Sequence, residues 1–337
     1  MTSADQTTPS QTVAPWITAQ LHSLLSQRGH AWLLAGPSGL GQYELAMALV
    51  RAWLCEQAGP QGACGVCASC HAIDVHAHAD LCVLCPETVL LDMGWPLGEK
   101  AQSEIDSKKR KPSKEIRVEA MRDAVEFAQR TSARGRGKAV LVFPAERMNV
   151  FTANALLKTL EEPVGDVKFV LATDAAHLLL PTIRSRCLGH TMVWPDHDTA
   201  LRWLQAQGMP APQAAVMLRA SGGRPADALL MAPVSDRWRL LPKAVLRGEV
   251  AVFKDWTGAQ TVDALHKLCN DLLALKSGAQ PRYFEVADLP TPGSWHSLSD
   301  WAKSLAQTRR TVEHPFNPGL MQEALVSQAQ LALNSKP

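Results

Sequence analysis

At 337 residues the chain is long enough for two or three domains, each with a core of its own. Hydrophobic residues at 46% and charged residues at 20% are ordinary for a soluble globular protein, and a net charge of +2 with a pI near 8.1 excludes a global field that would draw the chain onto nucleic acid. Residues 1–12 are polar, include Asp5 and lack the apolar stretch of a signal peptide, and no window approaches the ~20 apolar residues of a membrane span, so a cytoplasmic location is expected.

The first clear element is the apolar run 31–35, which reads as a buried strand and leads directly into Gly36-Pro37-Ser38-Gly39-Leu40-Gly41. Residues 42–54 read as a helix with Leu45, Leu49 and Ala52 on one side. Strand, glycine loop and helix form the context of a phosphate-binding loop, because glycines free backbone N–H groups to face an anion at a helix N-terminus. The two residues that should act on the phosphate are replaced: where the pattern asks for Lys and Ser or Thr, the chain has Gln42 and Tyr43. Gln42 brings no charge to a phosphate, Tyr43 cannot stand in for a small hydroxyl on Mg²⁺, and Glu44 adds a negative charge. The loop therefore reads as a turn that shapes the fold, and ATP binding through Gly36, Gly39 and Gly41 is not expected.

Cys55, Cys64, Cys67 and Cys70 follow at C-x8-C-x2-C-x2-C spacing in a Gly-, Ala- and Gln-rich segment. In a reducing compartment four such thiols point to tetrahedral, structural Zn²⁺, which a short segment without a core needs in order to hold one shape. His71 is read as a neighbour of this set and Asp74 stands where a further cysteine would favour an iron–sulfur cluster. Cys82 and Cys85 lie in an apolar strand that would send them to opposite faces, and read as small core residues.

Residues 86–114 interrupt the pattern with Pro86, Gly94, Pro96, Gly98 and the run Lys108-Lys109-Arg110-Lys111, and are expected to form a mobile surface loop. The basic run reads as solvated, with contact to DNA phosphate as the alternative. Residues 116–130 read as a helix with Val118, Met121, Val125 and Ala128 facing the core. Arg134-Gly135-Arg136-Gly137 then turns into a central apolar strand, 139–142, followed by Phe143 and Pro144. Ala153, Leu156, Leu157 and Leu160 mark one face of a helix that Pro163 stops, and a second apolar strand, 167–171, leads on to Ser185-Arg186-Cys187.

The run Asn154-Ala155-Leu156-Leu157-Lys158-Thr159-Leu160-Glu161-Glu162-Pro163, a strand ending Leu171-Ala172-Thr173 and the tripeptide Ser185-Arg186-Cys187 resemble the bacterial DNA polymerase III clamp loader, a branch of the AAA+ proteins. The resemblance covers about residues 15–235. It implies an AAA+ sheet domain with a zinc-binding insertion at 1–195 (zinc module 55–70, further insertion 86–114), a helical lid at 196–237 and a helical collar at 238–337. Hydrolysing relatives carry two acids after the central strand, at the positions held here by Phe143 and Pro144; Glu146, two residues beyond Pro144, is offset from the strand end. With loop and strand both altered, the resemblance implies the non-hydrolysing delta-prime branch. Its partners would be gamma or tau motor subunits and delta in a hetero-pentamer, together with the sliding clamp and primed DNA. In this family the arginine of the tripeptide enters a neighbour's ATP site, which assigns Arg186 as a finger in trans, with Ser185 and Cys187 completing the motif and Arg184 the other candidate. Arg224, in Ser221-Gly222-Gly223-Arg224-Pro225, resembles a phosphate sensor and equally suits a helix start.

Leu265, Leu268, Leu272 and Leu275 form a helical stripe further on, with Leu305, Ala324 and Leu331 in later segments, and Trp256, Trp295 and Trp301 suit either core or interface. Two other functions stay open: an active AAA+ ATPase with divergent motifs, and a zinc-dependent DNA-binding module using Lys108–Lys111.

Overall fold

The computed structural model describes residues 13–312, 314 and 316–335; the polar segment 1–12 lies outside them. The chain divides into two compact units, Met1–Pro195 and Asp196–Pro337.

The first unit is built on a parallel sheet of β1 (Ala31–Ala35), β2 (Leu81–Leu84), β3 (Lys138–Val142), β4 (Val167–Thr173) and β5 (Leu188–Thr191), in the order β2-β3-β4-β1-β5. β3 and β4 are sheathed on both faces, which is why both read as near-continuous apolar runs. The register sets Ala35 beside Thr173 and Val142 beside Leu171, so the carboxyl ends of β1, β3 and β4 open onto one edge of the sheet. In open α/β sheets that edge is where ligands bind. Helix Gln42–Leu54 starts there, directly after the glycine loop.

Helix Val150–Glu161 begins at Asn149, whose side chain accepts from the Thr152 N–H at 2.9 Å, and it buries Ala153, Leu156 and Leu160 as its periodicity requires. Helix Val118–Gln129 is turned slightly from the expected face. It buries Met121, Ala124 and Ala128 while Val118 and Val125 are only half-buried. The 86–114 segment, expected as a loop, holds helices Glu87–Asp92 and Glu99–Asp106. Arg110 ties them together: its guanidinium donates to Glu87 at 2.5 and 2.7 Å and to Glu104 at 2.7 Å, and Glu87 also accepts from the Ser113 N–H at 2.8 Å.

The second unit is helical, with one core running from Ala200 to Leu333 that includes Leu265, Leu268, Leu272 and Leu305. Residues 196–237 and 238–337 both contribute to that core. Trp256 and Trp301 are buried in it, whereas Trp295 is 51% exposed. Helix Pro318–Leu333 buries Leu325, Val326, Ala329, Ala332 and Leu333, leaving Ala324 and Leu331 outside, a rotation of about one residue from the expected stripe.

Candidate functional site

The glycine loop joins β1 to helix Gln42–Leu54 with Gly39 at φ 78° and Gly41 at φ 94°, both in the left-handed region that disfavours a side chain. A Cβ on Gly41 would also lie 2.7 Å from Ile17 Cδ1, and the Trp16 indole N–H donates to the Leu40 carbonyl at 2.8 Å, so helix Pro15–Leu25 braces the loop. Gln42 is buried, and its amide nitrogen curls back into the loop. It donates to the carbonyls of Gly36 at 2.6 Å and Pro37 at 2.8 Å, and to Asp174 Oδ1 at 2.8 Å. Two amide hydrogens shared among three acceptors leave nothing on this nitrogen for a phosphate oxygen.

At the next position the Tyr43 hydroxyl accepts from the Trp95 indole N–H at 2.9 Å, and its ring packs on Phe143 at 5.2 Å between centroids. Burial pushes the Tyr43 hydroxyl up to about 12, so it stays neutral and cannot serve as an anionic cation ligand near pH 7. Trp95 comes from the 86–114 segment and stacks on His76 at 3.9 Å. This aromatic lock joins residues far apart in sequence, and no local motif signals it.

Glu146, two residues beyond Pro144, is turned by Ala145–Arg147 so that its Oε2 accepts from the Thr173 hydroxyl at 2.6 Å. Thr173 ends β4, where its carbonyl accepts from the Gly36 N–H at 3.3 Å. Two carboxylates, Asp174 and Glu146, thus stand near the loop, one engaged by Gln42 and the other by Thr173.

The four cysteines come together with all sulfurs within 4.8 Å of one another; Cys55 lies 3.5 Å from Cys64 and 3.8 Å from Cys67. A tetrahedral ZnS₄ site with ~2.3 Å bonds has edges of about 3.8 Å, so the donor set fits a tetrahedral metal ion. Backbone N–H groups of Gln57 and Cys64 donate to Cys55 Sγ at 3.4 and 3.3 Å, and that of Cys70 donates to Cys67 Sγ at 3.5 Å. That last bond leads the causes holding the Cys67 thiol below its usual range, whereas burial raises Cys70. The buried hydrophobic residues of this cluster are Cys55, Cys67 and Cys70, with Ala63 and Cys64 half-buried beside them. Glu56, which its sequence neighbourhood did not single out, accepts from the Ser69 N–H at 3.1 Å and hydroxyl at 2.9 Å and pairs with Arg134 at 3.1 Å. His71 is exposed and outside the set. Burial pushes the Cys82 and Cys85 thiols up to about 12, in keeping with packed, unreactive side chains.

Ser185, Arg186 and Cys187 follow the short helix Pro181–Arg184 and precede β5. Arg186 is 29% exposed: its Nε donates to Glu161 Oε1 at 2.7 Å, its Nη2 donates to the same oxygen, and its Nη1 donates to the Thr182 carbonyl at 2.7 Å. Ser185 and Arg184 are exposed, and burial pushes the Cys187 thiol up to about 11. In the second unit Arg224 precedes helix Pro225–Leu230, pairs with Asp227 at 2.9 Å and donates to the Ser221 carbonyl at 2.8 Å. Lys108, Lys109 and Lys111 are exposed, while Arg110 is turned inward. No helix among the described residues is long and apolar enough to cross a membrane.

A family model described as DNA polymerase III, delta subunit, matches residues 16–192. Over 221 residues the chain is 37% identical to DNA polymerase III subunit delta' of Pseudomonas aeruginosa, covering 64% of this chain and 60% of that one. Over 233 residues it is 33% identical to subunit delta' of Escherichia coli, covering 67% and 62%. It thus spans about three fifths of the length of these curated relatives. A gamma subunit-related protein of Thermotoga maritima superposes with a TM-score of 0.51 at 16% identity, covering 94% of this chain and 99% of that one, which is a likeness of fold. The parallel sheet with its glycine loop and the helical unit agree with the α/β plus all-α fold class expected from the sequence.

Proposed function

The chain belongs to the delta-prime branch of the DNA polymerase III delta-subunit family, and from that premise we propose that it is the non-hydrolysing member of a clamp loader. Beside gamma or tau motor subunits and a delta subunit in a hetero-pentamer, it helps load the sliding clamp onto primed DNA in the cytoplasm, as part of the polymerase III holoenzyme. Arg186 enters the neighbouring motor subunit's ATP site, framed by Ser185 and Cys187. Residues 196–237 serve as a lid, in which Arg224 is the sensor-like position, and 238–337 as the collar that holds the subunits together. Cys55, Cys64, Cys67 and Cys70 hold a structural zinc ion that fixes the module around them.

One observation carries this reading. The Gln42 amide is spent on loop carbonyls and Asp174, and the acid positions hold Phe143 and Pro144, while Arg186 keeps its guanidinium at the surface. A site built this way offers a phosphate no cation at Gln42 and offers Mg²⁺ no acid at the two positions after the central strand, yet the chain can still lend a cation elsewhere. Asp174 and Glu146 are the acids a divergent ATPase would have to recruit, and both already have partners.

Steady-state ATPase tests the proposal. The purified chain alone should show no turnover, and Arg186→Ala should lower the DNA-stimulated ATPase of a complex reconstituted with the motor subunits, since such fingers contribute ~10³ to 10⁵ in rate at the site they serve. Turnover by the isolated chain that Gly41→Asp abolishes would favour a divergent motor instead. An unchanged Arg186→Ala complex would remove the finger.

A further inference from the structure

Arg186 does not stand in solvent as a lone cation. Its Nε and Nη2 both donate to Glu161 Oε1, and Nη1 donates to the Thr182 carbonyl and, at 3.5 Å, to Ser185 Oγ. Glu161 is the last residue of helix Val150–Glu161, whose preceding turns are fixed in the sheet core by Leu156 and Leu160, each at most 1% exposed. Ile183, fully buried, fixes the turn that carries Arg186. The arginine is thus held from two rigid supports that the chain brings together across 25 residues.

An ion pair as exposed as this one, at 29% and 47% for the two side chains, adds little to stability, so stability does not account for it. Aim does. A guanidinium carries five N–H groups, and the four hydrogen bonds drawn here leave at least one for an anion without releasing Glu161. Resting on the reading of Arg186 as a finger, we propose that Glu161 is its positioning residue. The Glu161 carboxylate holds the guanidinium plane so that its remaining edge faces the phosphates of the adjacent subunit's nucleotide. What the arginine needs from Glu161 is a fixed acceptor oxygen more than a negative charge.

The test uses the reconstituted clamp-loader complex with DNA-stimulated ATPase, ATP KM and thermal unfolding as readouts. Misplacement of a catalytic group by about an ångström is costly, so Glu161→Ala should cause about half or more of the loss in kcat that Arg186→Ala causes, with KM and melting unchanged. Glu161→Gln, which keeps the acceptor oxygen, should restore most of that loss. In an Arg186→Ala background Glu161→Ala should add nothing. The inference is overturned if Glu161→Ala leaves kcat at or above wild type, as a latch that must open would give. It is equally overturned if Glu161→Ala lowers kcat as much without Arg186 as with it, or if Glu161→Gln is as impaired as alanine. An Arg186→Ala complex that is itself unimpaired would instead overturn the finger reading on which the inference rests.

Discussion

Replacing Cys70 by Ser should strip the metal from the 55–70 module while leaving the sheet folded. Cys70 is fully buried, and serine offers zinc a poor ligand in place of a thiolate, so the site falls from four sulfurs to three. Structural zinc contributes about 10–16 kcal/mol of binding free energy in small modules at pH 7, and that energy is also folding energy. Here no Leu, Ile, Val or Phe belongs to the cluster of buried cysteines that could take over when the metal leaves. The sheet core around Val140, Phe169 and Leu156 is a separate group, so the loss stays local. Metal analysis should find about one zinc per wild-type chain and much less in Cys70→Ser after mild chelation. Limited proteolysis should then cut within 56–66 in the variant first, with the main thermal transition little changed. A wild-type chain that purifies without zinc under non-chelating conditions, or a variant that keeps zinc under chelator, would refute the argument.

Restoring the loop pattern with Gln42→Lys and Tyr43→Thr should not create an ATPase, because Phe143 and Pro144 still supply no acid; removing the Tyr43 hydroxyl also leaves the buried Trp95 N–H without its acceptor, at a cost of about 1–3 kcal/mol read by thermal unfolding. Turnover at a motor subunit's rate would contradict this. Gly137→Ala should destabilise the first unit by roughly 1–3 kcal/mol in denaturant titration, since φ is 77° and the new Cβ would meet the Asp166 carbonyl oxygen at 2.4 Å. Asp80→Ala should cost about 3–5 kcal/mol by leaving Lys138, 7% exposed, without its carboxylate. Burial pushes the Asp80 carboxyl up, but the Ala133 and Arg134 N–H groups, the Ser132 hydroxyl and Lys138 outweigh it and hold its pKa down. Its folded pKa is therefore below the unfolded value, so wild-type stability from this group is present above about pH 4 and lost as pH falls through the folded pKa. In Asp80→Ala that part of the acid dependence should vanish, as urea midpoints measured across pH would record.

What the sequence revealed was local. The glycine loop, the cysteine spacing and the Leu156–Leu160 face are each set by residues within a turn or two of one another, where backbone geometry and period leave few alternatives. The partners of those residues were not legible. Trp95 reaches Tyr43 across 52 positions and Glu161 reaches Arg186 across 25, distances over which only the tertiary path decides who meets. Arg110 reads as one more charge in a basic run, yet two glutamates, one on each flanking helix, turn it inward and make 86–114 an ordered segment. That Glu146 meets Thr173 was not legible either, because residue offset along a strand takes no account of the tight turn that follows it.

These partners also brace the glycine loop from within the chain. In a working loop, an anion and its cation draw the backbone into one shape. Here the Gln42 amide ties the first carbonyls from inside, Trp16 holds Leu40 from the side, and Tyr43 is held by the Trp95 indole and packs on Phe143. Each of these contacts is made between the chain's own residues. For the proposed role beside ATP-hydrolysing neighbours such internal bracing matters, because a ligand can shift an equilibrium only by its differential affinity for two states. On the proposed reading of Arg186 as a finger, its turn is packed through Ile183 on the same core as β3 and β4, a fixed base from which to present the cation.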